Sequence, residues 1–269
     1  MEWIEEYKNK LIHKEIPYSE VYDFVKSHLP RKIYRYRKFD DFWENNLFDG
    51  DIYFSQSSNL NDPFDCLTYV DEKIYSKNIK DTLIHMLPAL EQNIIQYMEN
   101  KIVDLEESIS GARDLISVAC FSENVDSVLM WAHYADSHRG FCIEYDTSRI
   151  LKPYNSLLFP VYYTDERYDS TDDVIKRNEN TILNPNFFKS KVWSYEKEWR
   201  IALTYDLISK NDRKANFSNA ITGVYLGVQS EKEYSQNLLR IKSWANSKSI
   251  GCYQMKINPK GYNIFPENI

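Results

Sequence analysis

The sequence has few glycines and lacks the glycine-rich loops that bind phosphates in common nucleotide-binding folds. It contains seven glycines among 269 residues, and none lies in a G-x-G-x-x-G or G-x-x-x-x-G-K pattern. In those patterns, backbone amides approach the phosphate groups of dinucleotides or of ATP and GTP. A dinucleotide-binding βαβ unit or a P-loop of that kind is therefore excluded.

Cysteine is also scarce, and the histidines are not spaced as metal ligands. Two histidines in one segment, His133 and His138, are five positions apart, whereas the zinc helix motif H-E-x-x-H places them four apart. No C-x-x-C pair occurs, so we expect neither a zinc site nor a redox motif, and we expect the cysteines to be reduced core residues. The four cysteines are Cys66, Cys120, Cys142 and Cys252.

Long apolar runs and an excess of positive charge are absent as well. No stretch approaches the roughly 18 to 20 apolar residues that a membrane span needs, and the N-terminus does not resemble a secretion signal. The chain has 33 basic and 40 acidic side chains, a net charge of −7, which argues against a protein that coats nucleic acid or an anionic membrane. We therefore expect a soluble cytoplasmic protein without membrane association.

The remaining composition, 43% hydrophobic and 27% charged, is typical of a folded globular protein. Helical patterns occupy a lead-in at 1–31 and an insertion at 73–110, and residues 165–190 are polar enough to suggest a mobile loop. Because the strand patterns do not alternate regularly with helices, we predict one α+β domain over 1–269 with a mixed, mostly antiparallel sheet. The strand patterns lie at 32–37, 51–55, 116–122, 140–146, 157–164, 198–205, 221–226 and 252–258.

The first strand pattern carries a compact basic patch. Residues 31–38 include five cationic side chains among eight. Period-two alternation places Tyr34 and Tyr36 on one face and Arg35 and Arg37 on the other. The arginine face suits one phosphate-bearing ligand better than a nucleic-acid track, which needs contacts to several phosphates. The alternative is an edge strand whose arginines are solvated and paired with carboxylates.

A polar turn at 57–65 follows the second strand. Asn61 and Asp62 can bond to their own backbone, and Phe64 can fix the turn to the core. Such a segment is either a purely structural turn or the rigid wall of a ligand pocket.

A helix is predicted over 125–137. Trp131 and Tyr134 are three positions apart and share one side of it, with His133 next to them. A histidine on such a helix more often holds a backbone or carboxylate oxygen than performs chemistry, and both roles stay open for His133. The positions expected on the core side are Val125, Val128, Leu129 and Ala132.

The strand at 198–205 begins with a carboxylate. Alternation places Glu198 and Arg200 on one face and Trp199 and Ile201 on the other. Glu198 and Arg200 could form a surface ion pair, or Glu198 could stabilise a cation that develops on a sugar, as carboxylates do at oxocarbenium-like transition states.

Together these segments resemble an uncharacterised bacterial family, a domain of unknown function, over roughly residues 32–230. Its members share a Tyr-x-Tyr-Arg strand, a Phe-Ser strand leading to Asn-Asp-Pro-Phe-Glu, a Cys-Phe-Ser strand, a Met-Trp-x-His-Tyr-Ala helix before His-x-Gly, and Glu-x-Glu-Trp-Arg. The chain departs from this pattern at Asp65, where the family usually has glutamate. The matching segments are 34–37, 54–55, 61–65, 120–122, 130–135, 138–140 and 196–200.

The order of these segments also has a more distant resemblance to the ADP-ribosyltransferase fold, especially to toxins that modify nucleic acid. Such enzymes begin with a Tyr-His-x-Thr strand and place a catalytic glutamate at the start of a later strand, where this chain has 34–37 and Glu198. Arg35 replaces the histidine, as arginine does in some transferases of that fold. The pair Glu196 and Glu198 is similar to the Glu-x-Glu of arginine-directed transferases.

The resemblance implies NAD as the substrate and a macromolecule, nucleic acid or protein, as the acceptor of ADP-ribose. Glu198 would stabilise the oxocarbenium and Glu196 would position the acceptor, while His133 and Arg200 would orient them. Ligand contacts would come from the arginine strand, the strand after it, the polar turn and the tryptophan helix. The residues implied to bind the nucleotide are Arg35, Arg37, Ser55, Asn61, Asp62, Phe64, Trp131, Tyr134 and Arg200.

Family context suggests a toxin or a role in phage defence. The alternative function is a non-enzymatic nucleotide sensor or interaction module that uses the same pocket and contacts a partner through the helical insertion. A nuclease is disfavoured because the sequence shows no metal cluster and its basic patch is small. Both leading hypotheses require Arg37 and Glu198 to face one cavity.

Overall fold

The computed structural model describes residues 2–13, 15–86, 113–150, 157–176, 178, 180–204, 207–208 and 213–269. Most of the expected insertion at 73–110 therefore lies outside the described residues, apart from its first helix. The helices are Glu2–Ile12 (α1), Tyr18–Lys26 (α2), Glu72–Met86 (α3), Val128–Tyr134 (α4), Thr147–Ile150 (α5), Thr171–Ile175 (α6), Asn180–Leu183 (α7) and Ser230–Lys248 (α8).

Both helices and strands are present, and most strand pairs are antiparallel, so the expected α+β class with a mixed sheet is confirmed. The strands are Lys32–Arg37 (β1), Asp51–Tyr53 (β2), Ser55–Gln56 (β3), Thr68–Tyr69 (β4), Ile116–Ser122 (β5), Phe141–Asp146 (β6), Leu158–Pro160 (β7), Tyr162–Thr164 (β8), Tyr168–Asp169 (β9), Phe188–Ser190 (β10), Glu198–Thr204 (β11), Lys214–Asn216 (β12), Ile221–Leu226 (β13), Gly251–Ile257 (β14) and Ile264–Asn268 (β15).

In the described part of the chain, the main sheet has the strand order β15-β14-β13-β6-β1-β5-β11-β7, and β3 pairs with β5 beside this row. The pair β13 and β14 is parallel, with α8 between them in the chain. Neighbours flank β1 on both sides, so the edge-strand alternative for the basic segment is wrong.

Two apolar clusters cover the sheet. The larger contains the side chains of β5, β6 and β11 together with Tyr7 and Val25 of the N-terminal helices. The smaller gathers Tyr36, Met130 and Trp131 with residues of β13 and β14. The predicted helical lead-in thus exists, and its apolar side packs on the larger cluster.

Two local expectations are wrong. Residues 165–190 do not form an irregular loop, because β9, α6, α7 and β10 lie within them. The helix expected at 125–137 begins at Val128, where the Ser127 hydroxyl accepts a hydrogen bond from the amide of Met130, and it ends at Tyr134. The side of this helix that faces the core also differs from the prediction, because Val128 and Leu129 are exposed while Met130 and Trp131 are buried.

The sheet opens beside β1. This strand pairs with β5 at a single position, Tyr34 opposite Ser122. Further along β5, β3 replaces β1 as the neighbour, with Ser55 opposite Val118. Residues 119–121 of β5 lie between these two pairings, and Cys120 and Phe121 line the cleft described next.

Candidate functional site

The opening beside β1 contains a cleft with about 720 Å³ of empty space, part of it open to solvent. We call it the central cleft. Its walls come from β1, β3 and β5, from the turn after β3, from α4, and from the segments around β10 and β11. Of the residues expected at a ligand site, it is lined by Arg35, Arg37, Ser55, Asn61, Tyr134, Glu196, Glu198 and Arg200.

Arg35 and Arg37 form the cationic side of the cleft. They alternate along β1 with Tyr34 and Tyr36, and all four residues line the cleft. Arg35 Nη2 donates to the carbonyl of Tyr53 at 2.9 Å, and its guanidinium lies 5.8 Å from the ring centre of Phe121. Arg35 Nη1 and Arg37 Nε have no hydrogen-bond partner and are shielded from solvent.

Two neighbouring guanidinium groups that form no salt bridge are costly in the empty protein. Burial and the charge of Arg37 lower the pKa of Arg35, and burial lowers the pKa of Arg37 against the opposing charge of Asp40. Within the described residues, neither guanidinium forms a salt bridge with a carboxylate. An anion placed between them would supply the missing bonds and reduce the repulsion.

Five buried charged side chains form the other side of the cleft. We call this group the ion cluster, and its members are Asp65, Lys189, Glu196, Glu198 and Arg200. Three carboxylates share two cations, so the cluster carries one net negative charge when all five groups are ionised.

Arg200 is the centre of the ion cluster and is fully buried, so the surface-pair alternative for Glu198 and Arg200 is wrong. Its Nε donates to Glu198 Oε1 at 2.7 Å, and its Nη2 donates to Glu198 Oε2 at 2.9 Å. Its Nη1 and Nη2 also donate to Oδ1 and Oδ2 of Asp65, at 2.9 and 2.6 Å. Both carboxylates are therefore held in fixed positions by one planar guanidinium.

Lys189 connects the rest of the ion cluster. Its ammonium lies 2.5 Å from Glu196 Oε2, 3.1 Å from Glu198 Oε2 and 3.4 Å from Asp65 Oδ2. Between the two glutamates, Lys197 adopts a left-handed backbone conformation with a φ of 43°, where a 3₁₀ turn gives way to β11. The change of backbone direction at Lys197 lets the carboxylates of Glu196 and Glu198 both reach the Lys189 ammonium.

Burial and charge set the protonation of the three carboxyl groups. Burial alone would raise the pKa of Glu198 and Asp65, but the charges of Arg200 and Lys189 outweigh it and hold both pKa values below normal. The pKa of Glu196 is raised, by burial first and by the charge of Glu198 second. Two neighbouring carboxyl groups thus differ in acidity, a common arrangement at acid-base sites.

Tyr134 and Asn61 extend the ion cluster to the wall of the cleft. The Tyr134 hydroxyl donates to Glu196 Oε1 at 2.5 Å, and the Asn61 amide donates to the Tyr134 hydroxyl at 3.0 Å. The polar turn and α4 are therefore both connected to Glu196, the carboxyl group whose pKa is raised.

Four residues expected at the site lie elsewhere. Trp131 is fully buried, contacts Tyr36 edge to face, and donates from Nε1 to the carbonyl of Val125, so it offers no stacking surface to the cleft. Phe64 is 61% exposed beneath Arg167 and does not fix the turn to the core.

The other two are Asp62 and His133. Asp62 is buried and accepts a hydrogen bond from the amide of Phe64, which makes it a structural residue of the turn. His133 is exposed, and its ring lies 6.1 Å from that of Tyr195 and 6.4 Å from that of Trp193. It lies outside the cleft lining and has no described contact with the ion cluster.

Sequence reasoning missed two members of the ion cluster. Lys189 lies in β10, inside the segment expected to be a loop, and no motif marked it. Asp65 was noted only as a departure from the family pattern, yet both of its oxygens reach Arg200. The signal available for Asp65 is its place beside a phenylalanine at the end of a polar turn, and the residues around Lys189 give no such signal.

Among the described residues, no group of three or more His, Cys, Asp or Glu side chains is arranged to hold a metal ion. Among the helices that the structure describes, none combines the length and the apolar composition needed to cross a membrane.

Comparison with known proteins gives one finding. Residues 130–201 match the family described as protein of unknown function (DUF2971). The match covers α4 from Met130 onward and the ion-cluster residues Lys189, Glu196, Glu198 and Arg200. No curated protein and no solved structure matches the chain.

Proposed function

We propose that the central cleft binds NAD and that the protein is an ADP-ribosyltransferase-like enzyme, which splits the bond between nicotinamide and ribose. The observation that carries this proposal is the opposite charge of the two sides of one cleft. On one side, neither Arg35 nor Arg37 forms a salt bridge within the described residues, and on the other side the ion cluster is net negative. NAD has matching parts, an anionic pyrophosphate and a cationic nicotinamide.

In this reaction the pyrophosphate lies against Arg35 and Arg37, and the ribose next to nicotinamide lies over Glu196 and Glu198. The bond between ribose C1′ and the nicotinamide nitrogen breaks, and its electron pair leaves with neutral nicotinamide. Positive charge then develops on the ribose, and the carboxylate of Glu198 stabilises it. Because Arg200 and Lys189 lower the pKa of Glu198, that carboxylate stays ionised.

Glu196 receives the proton of the acceptor. A lone pair of the acceptor, a hydroxyl or amine of a macromolecule or water, forms the new bond to C1′, and the acceptor's proton moves to the carboxylate. The raised pKa of Glu196 makes it a better base than an ordinary glutamate. The proposal includes a role as a toxin or in phage defence, which would depend on which macromolecule accepts the ADP-ribose.

The experiment measures nicotinamide released from NAD by the full chain, alone and with cell extract. We expect turnover by the wild type, a loss of about 100-fold or more in Glu198→Gln and Glu196→Gln, and no loss in Glu231→Gln, an exposed carboxylate on α8. Circular dichroism and thermal unfolding check that each variant is folded. Equal turnover by Glu198→Gln and wild type would reject the mechanism.

A second candidate, a non-enzymatic nucleotide sensor, is favoured by one observation. Both oxygens of Glu198 accept bonds from Arg200, and the side chain is 5% exposed, as in a structural ion pair. A sensor would show saturable NAD binding and a higher unfolding temperature with ligand, but no nicotinamide release with any extract.

A further inference from the structure

A second groove adjoins the central cleft at the arginine strand. It has about 930 Å³ of space, part of it open to solvent, and lies between β1, β2 and residues 40–46. We call it the Phe42 groove. Three side chains, Arg35, Arg37 and Ser55, line both the groove and the cleft. A ligand that touches the arginines from the cleft is therefore at the entrance of the groove.

Two aromatic rings line the groove and are exposed. Phe42 is 64% exposed and Tyr53 is 44% exposed. Within the described residues, neither ring packs against another ring. Exposed aromatic side chains beside a polar cavity are typical of surfaces on which flat ligands stack.

The backbone around these rings is held in place. The amide of Phe42 donates to Asp40 Oδ1 at 3.0 Å, and its carbonyl accepts from Asn46 Nδ2 at 2.6 Å. The carbonyl of Tyr53 accepts from Arg35 Nη2 at 2.9 Å. The backbone that carries the Tyr53 ring is thus bonded directly to the group expected to bind phosphate.

The polar side chains of the groove suit a neutral ligand part rather than a second phosphate. Asp40 and Asp51 place carboxylates in its lining, and Lys214 lies 3.7 Å from Asp51. Asn45 and Asn46 add amide groups, which both donate and accept hydrogen bonds. The edges of nucleobases carry the same mixture of donors and acceptors.

We propose that the Phe42 groove is a nucleobase subsite, which takes the adenine of NAD while the pyrophosphate lies between Arg35 and Arg37. The base stacks on Phe42 and Tyr53. This inference rests on the proposed function only in taking the ligand to be a nucleotide, and it does not require that the bond to nicotinamide be broken.

The test is isothermal titration of the full chain with ADP, NAD and inorganic pyrophosphate. Phe42→Ala should weaken binding of ADP and NAD about tenfold and leave pyrophosphate binding unchanged. Tyr53→Ala should act in the same direction, since it retains the carbonyl that binds Arg35. Arg35→Gln should weaken binding of all three ligands.

The matched control is Phe265→Ala, which removes an exposed phenylalanine from β15, outside the linings of the groove and the cleft. ADP binding that falls equally in Phe42→Ala and Phe265→Ala, or that does not change in Phe42→Ala and Tyr53→Ala, would overturn the subsite. So would a wild type that binds pyrophosphate as tightly as ADP.

The subsite and the reaction can fail separately. Phe42-dependent ADP binding without nicotinamide release keeps the subsite and rejects the enzyme. Nicotinamide release that is unaffected by Phe42→Ala and Tyr53→Ala at limiting NAD keeps the enzyme and rejects the subsite.

Discussion

Lys189 bonds to Glu196 and Glu198 with a single ammonium, at 2.5 and 3.1 Å. The lysine is itself buried, and the carboxylates raise its pKa against the opposing effect of burial. It therefore stays charged and balances two neighbouring negative charges that would otherwise repel each other. Lys189 therefore joins Glu196, which also accepts from Tyr134, to Glu198, which also accepts from Arg200.

Removing that ammonium should destabilise the protein strongly. In Lys189→Met, three buried carboxylates would share Arg200 alone, and we expect a loss of roughly 3 to 5 kcal/mol in the free energy of unfolding. Lys191→Met is the control, because Lys191 is exposed and pairs with exposed Asp165, so its loss should cost about 0.5 kcal/mol or less. Urea unfolding measures both. Similar losses in the two variants would show that the ion cluster does not hold the fold.

Acid should weaken the fold through Asp65 and Glu198. Both have pKa values lowered by Arg200 and Lys189, so the folded protein binds fewer protons there than the unfolded chain. Their stabilising contribution is complete above the unfolded pKa values of about 4 and is lost as the pH falls toward the folded values. Glu196 acts in the opposite direction, because its raised pKa favours the folded state below its ordinary pKa and this contribution is lost as the pH rises.

The measurement is the free energy of unfolding in urea between pH 7 and pH 3. Stability should fall below about pH 4, and the fall should be smaller in Asp65→Asn than in the wild type. The exposed residue Asp41 gives the matched variant Asp41→Asn, which should keep the wild-type slope. A slope that Asp65→Asn leaves unchanged would contradict this assignment.

Arg37→Met should stabilise the empty protein and abolish anion binding. Arg37 is partly buried and has no hydrogen-bonded partner among the described residues, so methionine removes a charge that no salt bridge stabilises and keeps the apolar stem. We expect the free energy of unfolding to rise by about 1 kcal/mol. Pyrophosphate should raise the unfolding temperature of the wild type and have little effect on the variant.

The neighbouring exposed residue provides the control for this variant. Lys38→Met should change stability by about 0.5 kcal/mol or less and should keep the response to pyrophosphate. A destabilised Arg37→Met would mean that Arg37 has a structural role in the empty cleft.

Gly140→Ala should disturb the end of the arginine strand. A β-carbon at position 140 would lie 2.1 Å from the carbonyl oxygen of Arg37, so the backbone must move. We expect a loss of roughly 1 to 3 kcal/mol and weaker pyrophosphate binding. Gly261→Ala is the control, because the nearest atom there, 2.7 Å away, is the end of the exposed Asn263 side chain. Thermal unfolding that responds equally to both changes would contradict the close contact.

Some parts of this fold could be predicted from sequence because local periodicity sets them. Alternation alone placed Arg35 with Arg37 and Glu198 with Arg200, and both pairs line the central cleft. Alternation does not decide whether Glu198 and Arg200 are buried, since the same pattern describes an exposed strand and a central one.

Other parts could not be predicted because distant contacts decide them. Trp131 of α4 packs edge to face against Tyr36 of β1, and this contact sets the side of α4 that faces the core. Helical spacing alone therefore gives the wrong face. Lys189 had no local signal, since its role comes from carboxylates on β11 and in the turn after β3. Phe64 is exposed because Asp62 and its backbone, rather than apolar packing, hold the turn.

The bond between Asp65 and Arg200 joins positions 135 residues apart. During synthesis the ion cluster cannot assemble until both Asp65 and Arg200 have left the ribosome. A growing chain would carry its arginine strand early and its full set of carboxylates late. If the protein consumes NAD, nascent chains would be inactive, and the cell would meet the activity only in a finished fold.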